Sequence, residues 1–211
     1  MNSFDPAVLD AAVMAKLMTA VVVPRPIALV TTLGPDRPNA APFSFFNLVC
    51  ADPSMVMFSM APREGTTTAK DTVRNIERLP EFVVHIVDEP NAARMNLCST
   101  EWPHGVDEIA RAGFTTEPSV KVRPPRIADC PVQLECRLER FVKLGRKPYT
   151  MVIGEIVLAH FRDGLVDPAR HHVDTTRLQA LGRMESDMYT RLTDRFHLPR
   201  PARPPLHRSP E

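Results

Sequence analysis

The stretch RPIALVTTLGPDRPNAAPFSFFN, residues 25–47, decides the fold, because it holds two β-type segments separated by a turn. Residues 27–33 are mostly apolar and end near two threonines, and Gly34-Pro35-Asp36 is a typical turn sequence. Segments 39–49 and 55–60 continue the pattern. Such short spacing favours antiparallel neighbours over strands joined by crossover helices. The N-terminal third is therefore predicted to form an antiparallel meander.

Working outward, the remaining chain divides into helical and strand-like segments. The predicted helices are residues 7–18 (capped by Asp5 before Pro6), 69–79, 91–98, 106–112 and 175–193. The further predicted strands are residues 82–87, 132–144 and 149–161, the last two joined by a turn at residues 145–148. This order predicts a mainly β fold with flanking helices, a barrel with helices at its ends, and not a doubly wound sheet.

Length and charge narrow the classes of protein. The chain has 211 residues and a net charge of +1. We predict one domain over residues 1–200, and an extended or disordered Pro/Arg-rich tail over residues 201–211. An almost neutral chain offers no general field for nucleic acid or an anionic membrane, so any bound anion needs a local site. Without a membrane-length apolar run or a secretory signal, we expect a cytoplasmic protein.

The usual metal and catalytic signatures are missing from the sequence. The four cysteines show no C-x-x-C spacing, and the adjacent His171 and His172 would point apart, so no metal site is predicted. There is no G-x-G-x-x-G, no phosphate-binding G-x-x-x-x-G-K and no G-x-S-x-G. A dinucleotide-binding Rossmann unit is thereby excluded, and we assign no catalytic residue.

Polar residues interrupt the predicted barrel strands. Ser44 and Asn47 lie within an aromatic cluster, and two threonines end the strand before it. A flat heteroaromatic ligand needs such an apolar wall with a few polar groups, and Thr67, Thr68 and Lys70 could meet its phosphate at a helix start. Each feature also has an ordinary structural explanation as a strand end, a core aromatic or a helix cap. Taken alone, these residues indicate a β-barrel with a candidate anion site.

Three motifs together carry a resemblance to a known family. They are R-P-I-A-x-V-[ST]-T at residues 25–32, N-x-A-P-[FY]-S-[FY]-F-N at residues 39–47 and K-D-T-x-x-N-[IL] at residues 70–76. In this combination the chain resembles the flavin reductase-like, FMN-binding split-barrel family over about residues 10–200. The resemblance implies a six-stranded antiparallel split β-barrel, a homodimer with FMN at the subunit interface, and flavin redox chemistry.

The resemblance also implies which residues hold the cofactor. Those expected to contact the isoalloxazine ring and ribityl chain are Thr31, Thr32, Ser44, Phe45, Phe46, Asn47 and Ser59. Those expected around the phosphate are Lys70, Asp71, Thr72 and Asn75, with Arg25 as a neighbour. A flavin accepts and passes on hydride itself, so the family needs no protein acid or base.

Two departures from the family pattern stand out. His85 occupies a strand position where the family branch usually has Asn, and it is either a satisfied interior histidine or a changed hydrogen bond near the flavin. The C-terminal R-L-G-G-x-x-Y pattern corresponds to residues 183–189, which lack its glycines. If that segment covers the flavin, access to the site differs from that in the family.

The function expected from this resemblance is an NAD(P)H-dependent flavin oxidoreductase with NAD(P)H as electron donor. A partner monooxygenase would fit such an enzyme, but no residue identifies one. Two alternatives stay open: an FMN-binding electron carrier or flavin store without a nicotinamide site, and a flavin-free dimeric interaction protein of the same fold.

Overall fold

The computed structural model describes residues 1–100, 102 and 106–201. The predicted tail beyond Pro201 and residues 101 and 103–105 lie outside the described residues. Within the described part, no helix combines the length and apolar character that crossing a bilayer requires.

The described residues form mostly short strands with five α-helices among them. The strands are β1 Arg25–Pro26, β2 Ala28–Leu33, β3 Pro38–Phe43, β4 Phe46–Ala51, β5 Ser54–Met60, β6 Glu81–Ile86, β7 Thr116–Glu117, β8 Arg126–Ile127, β9 Val132–Leu144, β10 Tyr149–Phe161, β11 Val166–Asp167, β12 His172–Val173, β13 Leu181–Arg183 and β14 Tyr189–Arg191. The helices are α1 Ala11–Val21, α2 Asp71–Arg78, α3 Ala92–Leu97, α4 Glu108–Arg111 and α5 Thr175–Leu178.

Seven strands form one antiparallel sheet in the order β3-β2-β6-β9-β10-β5-β4. Its two edge strands, β3 and β4, are consecutive in sequence and separated only by Ser44 and Phe45. So short a connection brings the two edges together, and β3 also contacts β5. The sheet is therefore curled into a split barrel with flanking helices, as the sequence predicted.

The strand boundaries largely follow the sequence. The hairpin strands β9 and β10 have the predicted limits. The predicted strand 39–49 is divided into β3 and β4 by the bend at Ser44 and Phe45. The sheet therefore has seven strands, whereas the family resemblance implied six.

The barrel interior and its outer face each hold an apolar cluster. Inside, Val30, Phe43, Phe58 and Phe82 pack together, and α2 adds Val73 and Ile76 to close the barrel mouth. Outside, Leu29 and Ala40 belong to a second cluster formed with α3, α4 and their neighbours. Residues of β2 and β3 thus alternate between two packed faces, as strand geometry requires.

Two predicted helices were placed wrongly. The first begins at Ala11, because Asp10 supplies its N-cap by accepting from the Ala12 N–H group at 2.7 Å. The predicted helix 175–193 is only the four-residue α5, which ends at Gln179 in a left-handed conformation (φ 48°). The chain beyond it forms β13 and β14, which pair with each other, and β13 also pairs with β1. Tertiary pairing overrides the local helical pattern here.

Candidate functional site

A cleft of about 200 Å³ lies at the barrel mouth between β3, the start of α2 and the chain following α3. We call it the β3–α2 cleft. Its described lining residues are Asn39, Ala41, Pro42, Phe43, Arg63, Lys70, Asp71, Thr72, Cys98, Ser99, Thr100, Trp102 and Glu108. β3 is an edge strand paired only with β2, so its prolines cost few ladder hydrogen bonds.

Cationic side chains gather where α2 begins. Lys70 is the N-cap residue of α2 and makes no side-chain capping bond. Arg63 is held beside it by two hydrogen bonds. Its backbone N–H group donates to the Thr68 carbonyl at 2.9 Å, and its side-chain Nη2 donates to Asp71 Oδ2 at 2.6 Å. Thr67 and Thr68, which could meet the phosphate according to the sequence, lie in the loop before α2. A helix start without a side-chain cap, flanked by two cations, suits an anion.

Asp71 has a different role from the one predicted at the phosphate end. Its carboxylate accepts from Arg63 through Oδ2 and from Arg74 through Oδ1. A carboxylate would repel a phosphate, whereas here it fixes the position of two guanidinium groups. The side chain of Asp71 is therefore an organiser of the cationic end.

The opposite wall of the cleft is less polar. Ala41, Pro42 and Phe43 line it from β3, and Trp102 lines it from the chain after α3. The Trp102 ring is covered on one face by the Arg111 guanidinium group, 4.7 Å from the ring centroid.

Burial raises the pKa of the Cys98 thiol to about 12, and Glu108 adds to the rise. Cys98 therefore stays protonated near neutral pH and is not a nucleophile.

Two polar atoms in the cleft wall have no hydrogen-bond partner among the described residues. They are the Asn39 amide nitrogen Nδ2 and the Glu108 carboxyl oxygen Oε2, and both are buried. Burial raises the pKa of the Glu108 carboxyl group, and the Asp71 and Asp107 carboxylates add to the rise. The backbone N–H groups of Glu108 and Ala40 partly oppose it. The cleft thus holds an unpaired donor beside a carboxyl group that resists ionisation.

Of the residues predicted to bind the phosphate, Lys70, Asp71 and Thr72 line the cleft together. Asn75 lines an adjoining smaller cleft, which also shares Asn39 and Glu108. The Asn75 side chain donates through Nδ2 to Thr32 Oγ1 at 3.0 Å, and both residues are buried. Thr32 and Asn75 therefore dock α2 on β2 from beneath the cleft.

Thr31 and Arg25 lie away from this group. Thr31 points to the opposite face of β2 from Thr32, and its Oγ1 donates to the Pro125 carbonyl at 2.6 Å. Arg25 donates through Nη1 to the Thr19 and Val22 carbonyls and through Nη2 to the Met184 carbonyl. Its guanidinium group joins the end of α1 to the C-terminal segment. The structure therefore does not bring Arg25 to the cations of α2.

The loop residues predicted to contact the ring follow Phe43 directly. Phe46 is buried in the barrel core, so it is a packing residue. Phe45 is 40% exposed and stacks against Tyr149 at 6.4 Å between ring centroids, and its carbonyl accepts from the Ser59 N–H at 2.8 Å. Ser44 and Asn47 flank this bend. None of the four loop residues lines the described part of the cleft.

His85 is a satisfied interior histidine, one of the two possibilities left open above. Its ring is fully buried, with Nδ1 2.9 Å from the Leu29 carbonyl oxygen and Nε2 2.8 Å from the Ile127 backbone nitrogen. Nε2 accepts from the Ile127 N–H, so the proton lies on Nδ1 and is donated to Leu29. Burial lowers the pKa of His85 to about 4. The histidine is therefore neutral and ties β2 to β8.

The segment 183–189 does not cover the described cleft. It forms the turn between β13 and β14, and the Tyr189 hydroxyl group donates to Asn96 Oδ1 at 3.3 Å. Ser99, which lines the cleft, donates to the Asn96 carbonyl at 2.6 Å. The segment therefore supports the cleft wall through α3.

Sequence reasoning missed part of the cleft. Arg63 stood between two family motifs, and Asn39 stood inside one but was not selected. Glu108 stood in the predicted helix 106–112, and no motif in the sequence selected it as a site residue. Trp102 and the lining residues 98–100 come from a stretch whose apolar residues follow no regular period. Their position in the cleft depends on contacts with β3, which is distant in sequence.

Comparison with known proteins gives consistent matches. The sequence profile described as "Flavin reductase like domain" matches residues 18–177. A protein from Deinococcus radiodurans is 39% identical over 204 residues, covering 93% of this chain and 88% of the relative. Nitrilotriacetate monooxygenase component B from Bacillus cereus superposes with a TM-score of 0.89 at 32% identity, covering 94% of this chain and 98% of its own. The 2-nitrobenzoate 2-nitroreductase of Pseudomonas fluorescens superposes at 0.87 with 36% identity, covering 97% and 98%.

The buried neutral His85 predicts acid sensitivity. Its pKa is about 4 in the folded chain against 6.5 in the unfolded chain, so the unfolded state binds more protons between these values. Stability is complete above pH 6.5 and falls as the pH decreases towards 4, by about 3 kcal/mol from this residue. Urea denaturation at a series of pH values should show this loss, and His85→Asn should flatten the slope. Equal slopes for both proteins would contradict the assignment.

Proposed function

This chain belongs to the flavin reductase-like domain family, and on that premise we propose that it binds FMN in the β3–α2 cleft and works as an NAD(P)H-dependent flavin oxidoreductase. The observation that carries the proposal is the pairing, in one cleft, of a cationic helix start with a wall of apolar strand residues. A phosphorylated heteroaromatic ligand needs both.

The residues at the start of α2 fit the FMN phosphate. Lys70 and Arg63 supply positive charge, and Thr72 supplies a hydroxyl group in the same wall. Asp71 keeps Arg63 in position. Because the chain is almost neutral overall, these local groups would provide the attraction for a dianionic phosphate.

The strand wall fits the less polar part of the flavin. Ala41, Pro42 and Phe43 offer apolar surface that excludes water, and Trp102 adds an aromatic ring. When bound, FMN would supply the hydride-accepting and electron-transferring chemistry. The chain's own residues would hold and orient it, and the protonated Cys98 thiol would take no part.

FMN suits this cleft better than FAD. A second phosphate and an adenosine group would need further donors, and the chain has no glycine-rich pyrophosphate loop. The cationic end is compact, with Lys70 and Arg63 beside a single helix start. We therefore propose FMN as the resident flavin.

A second copy of the chain would complete the site. The cleft volume of about 200 Å³ is below the roughly 300–1,000 Å³ of typical ligand pockets. Apolar surface is exposed nearby on the edge strand β4, where Leu48 is 70% and Val49 47% exposed, and α1 buries none of its residues. Uncovered apolar edge strands favour association. We propose a cytoplasmic homodimer that shares the flavin between subunits.

The solved relatives suggest two electron acceptors. The similarity to component B of nitrilotriacetate monooxygenase favours a partner monooxygenase that receives reduced flavin, and this is the acceptor that we propose first. The similarity to a 2-nitrobenzoate 2-nitroreductase favours a nitroaromatic acid as a second candidate acceptor. Steady-state turnover with free flavin and with 2-nitrobenzoate as rival acceptors distinguishes them.

The proposed activity predicts anaerobic bleaching of the bound flavin. Purified protein loaded with FMN should lose its absorbance near 450 nm when NADH or NADPH is added without oxygen. Dithionite serves as the control for complete reduction. Bleaching by dithionite alone would identify an electron carrier or flavin store, and a protein that takes up no FMN would indicate the flavin-free alternative.

Replacing the cation at the start of α2 should weaken FMN binding. Lys70→Ala removes a charged hydrogen-bonding group, which should raise the dissociation constant roughly tenfold to a hundredfold. The matched control is Lys121→Ala, an exposed lysine between β7 and β8 outside the cleft. Fluorescence titration at two salt concentrations measures the effect. Equal affinities for both variants would mean that Lys70 is a solvated helix charge.

Charging the exposed edge strand should separate the subunits. Leu48→Glu places a carboxylate in the proposed interface, so light scattering should report a monomer and FMN affinity should fall with it. Leu198→Glu, at a residue 81% exposed in the C-terminal segment, is the control. A monomeric wild-type protein that retains FMN would contradict the shared site.

A further inference from the structure

The two unpaired polar atoms of the β3–α2 cleft have no role in the fold. Asn39 Nδ2 is a donor and Glu108 Oε2 is a potential acceptor, yet neither is paired within the described residues. Both residues line the same cleft and also the adjoining one. Each atom is therefore left for a third group in the cleft.

Leaving such atoms unpaired costs stability in the empty protein. Buried polar groups in native structures are nearly always hydrogen-bonded, so each exception needs a cause. An unpaired pair that lines a ligand cleft is the signature of groups matched to a ligand. The other interactions of Glu108, with the N–H groups of Ala40 and of Glu108 itself, already connect α4 to β3. Oε2 adds nothing to that connection.

We propose that the Asn39 amide group and the Glu108 carboxyl group form a hydrogen-bonding pair that contacts the bound flavin. This inference rests on the proposed function and adds two contact residues to it. Asn39 Nδ2 donates to an acceptor of the flavin. Glu108 Oε2 either accepts from a neighbouring polar group of the flavin or, when protonated, donates to it.

The part of the flavin that this pair contacts is uncharged. Burial and the nearby carboxylates of Asp71 and Asp107 raise the pKa of Glu108, which extends the pH range of its neutral form. A carboxyl group that ionises less readily repels a phosphate at the adjacent cationic end less strongly. Flavins carry two uncharged donor and acceptor groups of this kind: the ribityl hydroxyls and the imide edge of the pyrimidine ring.

The test compares flavin affinity in two variants of Glu108. Glu108→Gln keeps one oxygen for the backbone N–H groups but replaces Oε2 with an NH₂ group. Glu108→Met removes both oxygens. The matched control is Glu77→Gln, which makes the same substitution at an exposed position of α2 outside the cleft. Unfolding of each flavin-free protein in urea shows whether a variant is folded during the titration.

We expect Glu108→Met and Asn39→Ala each to raise the FMN dissociation constant roughly tenfold. The flavin-free Asn39→Ala protein should be at least as stable as the wild type, whereas Glu108→Met also removes the acceptor of the Ala40 N–H group and should be less stable. Glu108→Gln should lose affinity if the carboxyl group accepts, and keep it if the carboxyl group donates. Affinities within twofold of wild type for all three variants would overturn the inference, because the flavin would then contact neither group. A wild-type protein that binds no FMN refutes the proposed function and this inference together.

Two smaller flavins identify the contacted group. Riboflavin lacks the phosphate, and lumiflavin lacks both phosphate and ribityl chain. If Glu108→Met weakens FMN and riboflavin but not lumiflavin, the pair contacts the ribityl hydroxyls. If it weakens all three equally, the pair contacts the pyrimidine edge. A loss seen with FMN alone would place Glu108 at the phosphate and contradict an uncharged contact.

Discussion

The docking of α2 on the barrel mouth is the interaction on which the cleft depends. Val73 and Ile76 enter the interior cluster, while the Asn75 side chain donates to Thr32 Oγ1 at 3.0 Å between two buried residues. The apolar contacts hold the helix down, and the polar contact fixes its position along β2. Because β3 lies beside β2, the helix start then faces the wall of β3 across the cleft.

Electrostatic organisation of the cleft follows from the same helix. In a chain of net charge +1, two cations beside one helix start make a local positive site. Asp71 does not cancel it, since its carboxylate is divided between Arg63 and Arg74. Burial raises the pKa of Glu108, so its carboxyl group ionises less readily than an exposed one. One end of the cleft therefore suits an anion and the remainder suits an uncharged ring.

Much of this arrangement could be predicted from sequence, and the failures have physical causes. Closely spaced strand-like segments and the turn at Gly34-Pro35-Asp36 predicted the antiparallel strands of the barrel. The motif at residues 70–76 predicted the helix whose start carries the cations. Pattern alone could not tell which of Thr31 and Thr32 faces the helix, since adjacent strand residues point to opposite faces. Nor could the pattern show that the Arg25 guanidinium group donates to backbone carbonyls. Trp102 and Glu108 reach the cleft through contacts between residues that are distant in sequence, and such contacts leave no periodic pattern in the local sequence.

A crystal structure of the protein grown with FMN tests the central claim most directly. The account predicts electron density for the flavin in the β3–α2 cleft, with phosphate oxygens within hydrogen-bonding distance of the Lys70 ammonium group and the Thr72 hydroxyl group. It also predicts the ring beside Ala41 and Phe43, completed by a second copy of the chain. Flavin bound elsewhere, with this cleft holding only water, would contradict the account.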